Sequence, residues 1–245
     1  MVTVERLSHG FDDRPVLQNI DLDVGEKEIL AVMGSSGGGK TTLLRCIAGL
    51  ITPNEGRVLV DGIDVHEDTE QARHRMGMVF QSAALFDYMN VRQNVRFGVE
   101  RWSEEPAEQH DEIVRETLAT VGLVDLEHLM PSELSGGMKK RVGIARALAL
   151  KPKVMLFDEP TTGLDPITTY TIDKLIFDVR SELGITALLV SHDVSSVLRV
   201  ADRIAFLEAG RLSFVGTPEE FKVSDVGAIQ ELVYKAQATS LESRH

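Results

Sequence analysis

The chain has 245 residues, 43% of them hydrophobic, which is enough to bury the core of one large domain or of a domain with an inserted subdomain. The formal net charge of -12 argues against a nucleic-acid binder, which would usually present a basic face, and against direct docking on an anionic membrane surface. Cys46 is the single cysteine, so an internal disulfide is excluded and a reducing compartment is the simpler expectation. No apolar run approaches the roughly 18 residues that span a bilayer, so we expect a soluble chain whose membrane path comes from a partner.

The first predicted strands, residues 2–7 and 20–24, alternate apolar and polar side chains, which is typical of half-exposed antiparallel strands. Residues 28–33 are nearly continuously apolar and end at a glycine, which predicts a buried strand that leads into a loop. A helix is predicted over residues 40–50, where apolar side chains recur at helical spacing. Two further short strands are predicted at residues 57–61 and 76–80.

Beyond residue 80 the pattern is mostly helical at first and then alternates strands with helices. Buried strands are predicted at residues 154–158, 186–191 and 203–207, with helices between them. This alternation predicts an α/β core with a mainly parallel sheet, an N-terminal antiparallel β layer and an α-helical subdomain inserted at about residues 82–150. We expect a main domain over residues 1–222 and a C-terminal helical tail over residues 223–245.

A glycine-rich loop is predicted between the buried strand and the helix near residue 40. Its sequence, Gly-Ser-Ser-Gly-Gly-Gly-Lys-Thr, matches the phosphate-binding pattern Gly-x-x-x-x-Gly-Lys-Ser/Thr in full. Glycines let successive N–H groups converge on phosphate oxygens, and the helix that follows directs its positive end to the same place. Lys40 would neutralise the β- and γ-phosphates, Thr41 would ligate Mg²⁺, and Thr42 would reach the α-phosphate. The expected phosphate-binding residues of the loop are Gly34, Ser35, Ser36, Gly37, Gly38, Gly39, Lys40, Thr41 and Thr42.

Two adjacent carboxylates lie at the end of the buried strand at 154–158. Asp158 ends the strand, where it would face the phosphate crevice at the carboxyl edge of the sheet and hold Mg²⁺. Glu159 is the candidate general base for the attacking water. A solvated strand-end carboxylate is the alternative for Glu159, and its neighbour Asp158 argues against that alternative.

Residues 134–139 read Leu-Ser-Gly-Gly-Met-Lys and lie between the two motifs above. With this segment included, the chain resembles the ATP-binding subunits of ABC transporters from about residue 2 to residue 220. The resemblance implies a P-loop NTPase core of the ABC type, ATP and Mg²⁺ as cofactors, and ATP hydrolysis. It also implies a head-to-tail dimer of two copies of the chain, in which Ser135, Gly136 and Gly137 contact the ATP of the second copy. Since these residues would begin a helix, their N–H groups offer a second anion site.

The same resemblance assigns roles to five further residues. It implies that Gln81 senses Mg²⁺ and water, that His192 contacts the γ-phosphate, and that Asp165 crosses the dimer interface. It also implies that Phe11 stacks on adenine and that Val16 touches the ribose. Phe11 could equally anchor its own loop.

Three details of the sequence resemble the ATPases of Mla-type phospholipid transporters: Ser-Ala-Ala-Leu-Phe-Asp at 82–87, Gly-Gly-Met at 136–138 and Asp-Pro-Ile-Thr at 165–168. That resemblance implies a separate polytopic permease that docks near Leu85, Phe86 and Tyr88. It also implies an MCE-domain lipid-binding protein, a STAS-domain protein, and a peripheral position at the cytoplasmic face of the inner membrane. Met138 stands where many members of the family have glutamine, and Gly163 where alanine is common, but neither change removes a catalytic atom.

Three other functions remain open at this point. The first is an ABC importer or exporter of a substrate other than lipid. The second is an ABC ATPase of a non-transport complex, such as a division or assembly scaffold. The third is a small-molecule kinase built on the same glycine loop, but a kinase would have no use for residues 134–139.

Overall fold

The computed structural model describes residues 1–12 and 14–242, so the last three residues of the expected tail lie outside the described residues. The strands are β1 (Val2–Phe11), β2 (Arg14–Val24), β3 (Ile29–Gly34), β4 (Glu55–Val60), β5 (Ile63–Asp64), β6 (Met76–Val79), β7 (Val154–Asp158), β8 (Thr186–Val190), β9 (Arg203–Glu208) and β10 (Arg211–Gly216). The helices are α1 (Lys40–Ile47), α2 (Thr69–His74), α3 (Val91–Trp102), α4 (His110–Thr120), α5 (Gly136–Leu148), α6 (Pro166–Leu183), α7 (Val194–Val200), α8 (Pro218–Lys222) and α9 (Gly227–Glu242).

The larger sheet has the strand order β10-β9-β3-β8-β7-β6, and its strands are parallel except for the hairpin strand β10. Strands β3, β7 and β8 are buried at every position, which explains why their sequences are nearly continuously apolar. Because these strands are parallel, their carboxyl ends lie at one edge of the sheet. The glycine loop, the two carboxylates and the histidine of the sequence prediction all leave the sheet at this edge.

The smaller sheet is antiparallel and has the order β2-β1-β4-β5. Its inward side chains, such as Leu7 and Leu17, form one core with Leu43 and Leu44 of α1 and with the facing side of β3. The predicted antiparallel β layer is therefore present, and α1 is buried between the two sheets. Helix α2 was not anticipated, because its six residues are too few to show a helical period.

Helices α3, α4 and α5 form the helical subdomain, and their buried side chains share one core with β7 and α6. Helix α3 begins at Asn90, whose side chain and that of Gln93 form a reciprocal capping box. Residues 82–90, which were expected to be part of a mostly helical region, form turns instead. Helix α5 packs on both α3 and α4 and also contacts β6 and α6, so it joins the subdomain to the parallel sheet.

The carboxyl-terminal helices cover the outer face of β3 and β9. Ile229 at the start of α9 is buried against a core that contains Phe206 and Phe221, so the first turns of α9 are packed rather than loosely attached. Within the described part of the chain, every helix falls short of the combined length and apolar character that crossing a bilayer requires.

Candidate active site

The glycine loop connects β3 to α1, and the structure explains two of its glycines by lack of space. A Cβ on Gly34 would lie 2.0 Å from the carbonyl oxygen of Leu207, and one on Gly39 would lie 2.9 Å from that of Val16. Gly39 also has a φ of +99°, which L side chains rarely adopt. The loop closes on itself through a hydrogen bond of 3.1 Å from the amide of Gly38 to the carbonyl of Ser35.

Lys40 is the first residue of α1 and is only 8% exposed. Its Nζ donates to the carbonyl oxygens of Gly34 and Ser35, each at 2.9 Å. Burial lowers the pKa of Lys40, and the charges of Glu159 and Asp158 oppose that shift. The ammonium group is therefore bound by two carbonyl oxygens of the loop, and an anion in the loop could take their place as its partner.

Asp158 and Thr41 bring two oxygen atoms together at the edge of the parallel sheet. Thr41 Oγ1 donates to Asp158 Oδ1 at 3.1 Å, and Asp158 is 6% exposed. Burial raises the pKa of Asp158, and the hydrogen bond from Thr41 acts against that rise. A hydroxyl and a carboxylate beside a phosphate loop are oxygen ligands of the kind that would suit Mg²⁺.

Glu159 has a φ of +51°, so its backbone is in the left-handed region at a cost of about 1 kcal/mol or more. Its carboxylate is fixed through one oxygen: Thr162 Oγ1 donates to Oε2 at 2.8 Å, and His192 Nδ1 lies 2.5 Å from the same atom. Because an ionised carboxylate can only accept, Nδ1 of His192 carries the hydrogen. Among the described residues both of these hydrogen bonds reach Oε2, and none reaches Oε1.

These groups line one cavity of about 680 Å³. Its lining consists of residues predicted from the sequence: Phe11, Val16, Ser36, Gly37, Gly38, Gly39, Lys40, Thr41, Thr42, Gln81, Glu159 and His192. Phe11 is half exposed and meets His9 edge-on, with ring centroids 4.8 Å apart. Gly34 and Ser35 form the base of the loop, and Asp158 lies behind Thr41 through the hydrogen bond described above.

Ser135, Gly136, Gly137 and Asp165 do not belong to the lining of this cavity in the described part of the chain. Ser135 caps α5, and its Oγ accepts from the amide of Met138 at 3.3 Å. Asp165 caps α6, and hydrogen bonds from the hydroxyl and amide of Thr168 lower the pKa of its carboxyl. The two caps are exposed, and in the described part of the chain the start of α5, with its free N–H groups, lies outside the lining of this cavity.

Two side chains that contact these groups were not expected from the sequence. Thr162 follows Glu159 by three residues, and its role becomes visible only through the left-handed turn at Glu159. Lys140 is buried in α5 and donates to the carbonyl of Gln81. A lysine at a position where the helical period of α5 calls for an apolar residue could have signalled this contact.

A glycine loop between a strand and a helix, a buried lysine and a hydroxyl–carboxylate pair define a P-loop nucleoside triphosphatase. The comparison with known families is more specific: the model of the family described as "ABC transporter" matches residues 17–162. The chain belongs to the ABC transporter ATP-binding family.

Among curated proteins, the chain is 42% identical over 222 residues to the glutamine transport ATP-binding protein GlnQ of Escherichia coli, a match that covers 89% of this chain and 92% of GlnQ. It is 40% identical over 237 residues to the intermembrane phospholipid transport system ATP-binding protein MlaF of Haemophilus influenzae, with 95% and 90% covered. Among solved structures, it superposes on the dimeric, ADP- and phosphate-bound ATP-binding cassette MJ0796 with a TM-score of 0.79 and 30% identity, covering 89% of this chain and 99% of MJ0796.

The chain is therefore an ATPase subunit of an ABC transporter, and such subunits act as dimers with a membrane permease. The names of its relatives span several substrates. Beside glutamine and phospholipid, relatives at 40% and 38% identity are named for sulfate/thiosulfate import and methionine import. Family membership thus leaves the transported substrate to be inferred.

Proposed function

We propose that this chain drives phospholipid transport by ATP-dependent closure of a head-to-tail dimer, coupled to a separate membrane permease. The observation that supports the dimer is that the chain has two separate anion-binding features, the glycine loop and the start of α5. The glycine loop lines the nucleotide cavity, whereas the exposed start of α5 does not. Two copies in head-to-tail order bring the α5 start of one to the cavity of the other. Support for lipid as the substrate comes from the MlaF relatives at 40% and 41% identity and from residues 82–87, 136–138 and 165–168.

In this proposal the glycine loop and Lys40 bind the β- and γ-phosphates of ATP, while Phe11 and Val16 contact the nucleoside. Thr41, Asp158 and Gln81 would hold Mg²⁺, which would neutralise phosphate charge. The suitability of these residues for Mg²⁺ is supported by the distance of 3.1 Å between Thr41 Oγ1 and Asp158 Oδ1, which places two oxygen ligands together.

Glu159 accepts a proton from the attacking water through Oε1, since Thr162 and His192 already donate to Oε2. His192 has an exposed ring in the cavity lining, from which it contacts the γ-phosphate. Ser135, Gly136, Gly137 and Asp165 act on the nucleotide of the second copy.

The permease is proposed to dock beside the turn that follows Gln81. Tyr88 is 74% exposed, and Phe86 packs on Tyr88 and on Phe97 with centroid distances of 5.9 and 4.9 Å. Leu85 packs against the core of the helical subdomain and supports the turn from beneath. Phe80, the residue before Gln81, lines a separate cavity of about 620 Å³ with mostly apolar walls.

An MCE-domain lipid-binding protein and a STAS-domain protein complete the proposed complex, with this chain peripheral at the cytoplasmic face of the inner membrane. The test is to purify the tagged full chain from detergent-solubilised membranes and to identify its partners by mass spectrometry. A permease together with an MCE-domain protein supports lipid transport. A permease with a periplasmic amino-acid- or anion-binding protein would assign the chain to an importer, and soluble scaffold proteins alone would refute a transport role.

Two substitutions test the site itself. Glu159→Gln should keep ATP binding and yield an ATP-stabilised dimer with little turnover, and unchanged hydrolysis would reject Glu159 as the base. Ser135→Ala should abolish turnover while the monomer binds nucleotide normally. Loss of nucleotide binding by the Ser135→Ala monomer would mean that the start of α5 serves its own cavity.

A further inference from the structure

We infer that Lys140 is a positioning residue, which holds Gln81 and Glu159 in a fixed relation to the helix α5. The inference rests on the proposed role of Glu159 as general base and extends it to a side chain outside the nucleotide cavity. Lys140 does not touch the reacting atoms. It acts through the backbone of the two residues that do.

The contacts of Lys140 join three elements. Its Nζ donates to the carbonyl oxygen of Gln81, which follows β6, and lies 3.5 Å from the carbonyl oxygen of Glu159, which follows β7. Strands β6 and β7 are neighbours in the parallel sheet, so the two carbonyls leave the sheet side by side. A single ammonium group from α5 therefore binds both catalytic turns at their first peptide.

The energetics of the position argue against a packing role alone. Lys140 is 6% exposed, so its charged ammonium group is almost completely removed from solvent. Among the described residues no carboxylate lies within salt-bridge distance of Lys140, so backbone carbonyls compensate its charge. An unbranched apolar side chain such as methionine would fill the space without the cost of burying a charge. The carbonyl contacts are what lysine adds at this position.

A second cation of α5 holds the same turn. Arg146 donates to the carbonyls of Ala83 and Ala84 at 2.9 and 2.6 Å, and these alanines have φ values of +62° and +47°. Two consecutive alanines in the left-handed region are strained and persist only when neighbouring contacts hold them. The turn after Gln81 is thus fastened to α5 at two points, and a displacement of α5 displaces Gln81 with it.

Two parts of α5 therefore contribute to the proposed reaction in different ways. Its first residues face the nucleotide of the second copy in the proposed dimer, and Lys140, in its second turn, holds the turns that carry Gln81 and Glu159. Engagement of Ser135 on ATP would therefore fix the orientation of the hydrolytic groups in the same chain. Loss of the Lys140 contacts should lower the rate of hydrolysis without lowering the affinity for nucleotide.

The test compares Lys140→Met and Lys140→Arg with the matched control Arg141→Met in the full chain. Arg141, the next residue of α5, also donates to two backbone carbonyls, those of Val121 and Gly122, but in a loop outside the nucleotide cavity. We expect kcat of Lys140→Met to fall about tenfold to a hundredfold, as for a misplaced catalytic group, with the Kd of a fluorescent ATP analogue for the monomer within about twofold. Lys140→Arg should recover most of the lost kcat, and Arg141→Met should unfold at a lower temperature with kcat unchanged.

A Lys140→Met protein that is less stable but turns over ATP at the wild-type rate would overturn the inference, since only packing would then be involved. An equal loss of kcat in Arg141→Met would overturn it too. Lys140→Leu, which likewise has no N–H donor in its side chain, provides the same comparison if Lys140→Met does not fold. Glu159→Gln, measured in parallel, distinguishes failure of the proposed base from failure of this inference. If Glu159→Gln retains turnover, Glu159 is not the base. If Glu159→Gln loses turnover and Lys140→Met keeps it, only the role of Lys140 is rejected.

Discussion

Gly137, the second residue of α5, has no room for a side chain because α6 passes directly beside it. A Cβ at this position would lie 2.4 Å from Cγ2 of Thr168, whereas ordinary contacts begin near 3.4 Å. With Thr168 in its present rotamer, Gly137→Ala requires the starts of α5 and α6 to separate by about 1 Å. Overpacking of this kind typically costs about 1–3 kcal/mol, while the higher helix propensity of alanine returns at most about 1 kcal/mol.

Thr168 cannot avoid the clash by rotation without losing a contact. Its Oγ1 donates to Asp165, and a hydrogen bond of this kind contributes about 1 kcal/mol or more. Thr168→Ser keeps Oγ1 and removes Cγ2, so the double variant Gly137→Ala/Thr168→Ser should be relieved of the clash. The four proteins form a double-mutant cycle with an expected coupling energy of about 1–3 kcal/mol in favour of the pair.

Urea unfolding followed by circular dichroism measures the cycle, and melting temperatures should follow at about 2–4 °C per kcal/mol. Gly136→Ala is the matched control, because its Cβ would lie 3.4 Å from Leu164 Cδ2, an ordinary contact. A coupling energy below about 0.5 kcal/mol, or a cost for Gly136→Ala equal to that of Gly137→Ala, would refute the reasoning.

Three further predictions concern buried groups and the hydrolytic turn. Burial raises the pKa of the Cys46 thiol to about 11. The free energy of unfolding of the wild type relative to Cys46→Ala should therefore be constant below pH 9 and fall by about 1.4 kcal/mol per pH unit from pH 9 towards pH 11. Urea unfolding measures this difference. Thr162→Val removes a hydrogen bond to Glu159 Oε2 and should lower kcat about tenfold, equivalent to about 1.4 kcal/mol, while Thr162→Ser retains activity. Asp173 is fully buried and accepts from the Arg199 guanidinium, so Asp173→Ala should cost about 3 kcal/mol in thermal or urea unfolding and leave ATP affinity intact.

Each of these predictions has an outcome that contradicts it. For the thiol, it is a stability difference that stays constant from pH 8 to pH 11. For the threonine, it is a valine variant as active as the serine variant. For the aspartate, it is a melting temperature within about 2 °C of wild type, which would mean that the guanidinium finds solvent at little cost.

The sequence predicted the structure best where a pattern of side chains was compatible with a single kind of element. The continuous apolar runs predicted β3, β7 and β8 correctly because parallel strands covered on both faces have no polar positions. The glycine loop and Glu159, which line the nucleotide cavity, were predicted from their motif and their place at strand ends, whereas Phe11, Val16, Gln81 and His192 were predicted only from the family resemblance.

The sequence was least informative where contacts depend on tertiary packing. The left-handed turns at Ala83 and Ala84 carry no glycine to announce them, and Arg146, more than sixty positions further along the chain, holds both carbonyls. Lys140 lies just beyond the motif at residues 134–139 and was given no role, because its burial depends on the packing of α5 against β6. Helices α2 and α8 escaped prediction because six and five residues give no usable period.

The placement of the α5 start outside its own nucleotide cavity has a genetic consequence. In the proposed head-to-tail pair, a chain defective at Lys40 and a chain defective at Ser135 are each inactive as homodimers. Mixed in one dimer, they combine the intact Lys40 of one with the intact Ser135 of the other, which rebuilds one of the two composite sites. Two dead alleles expressed together should therefore complement each other, whereas two alleles with the same lesion should not.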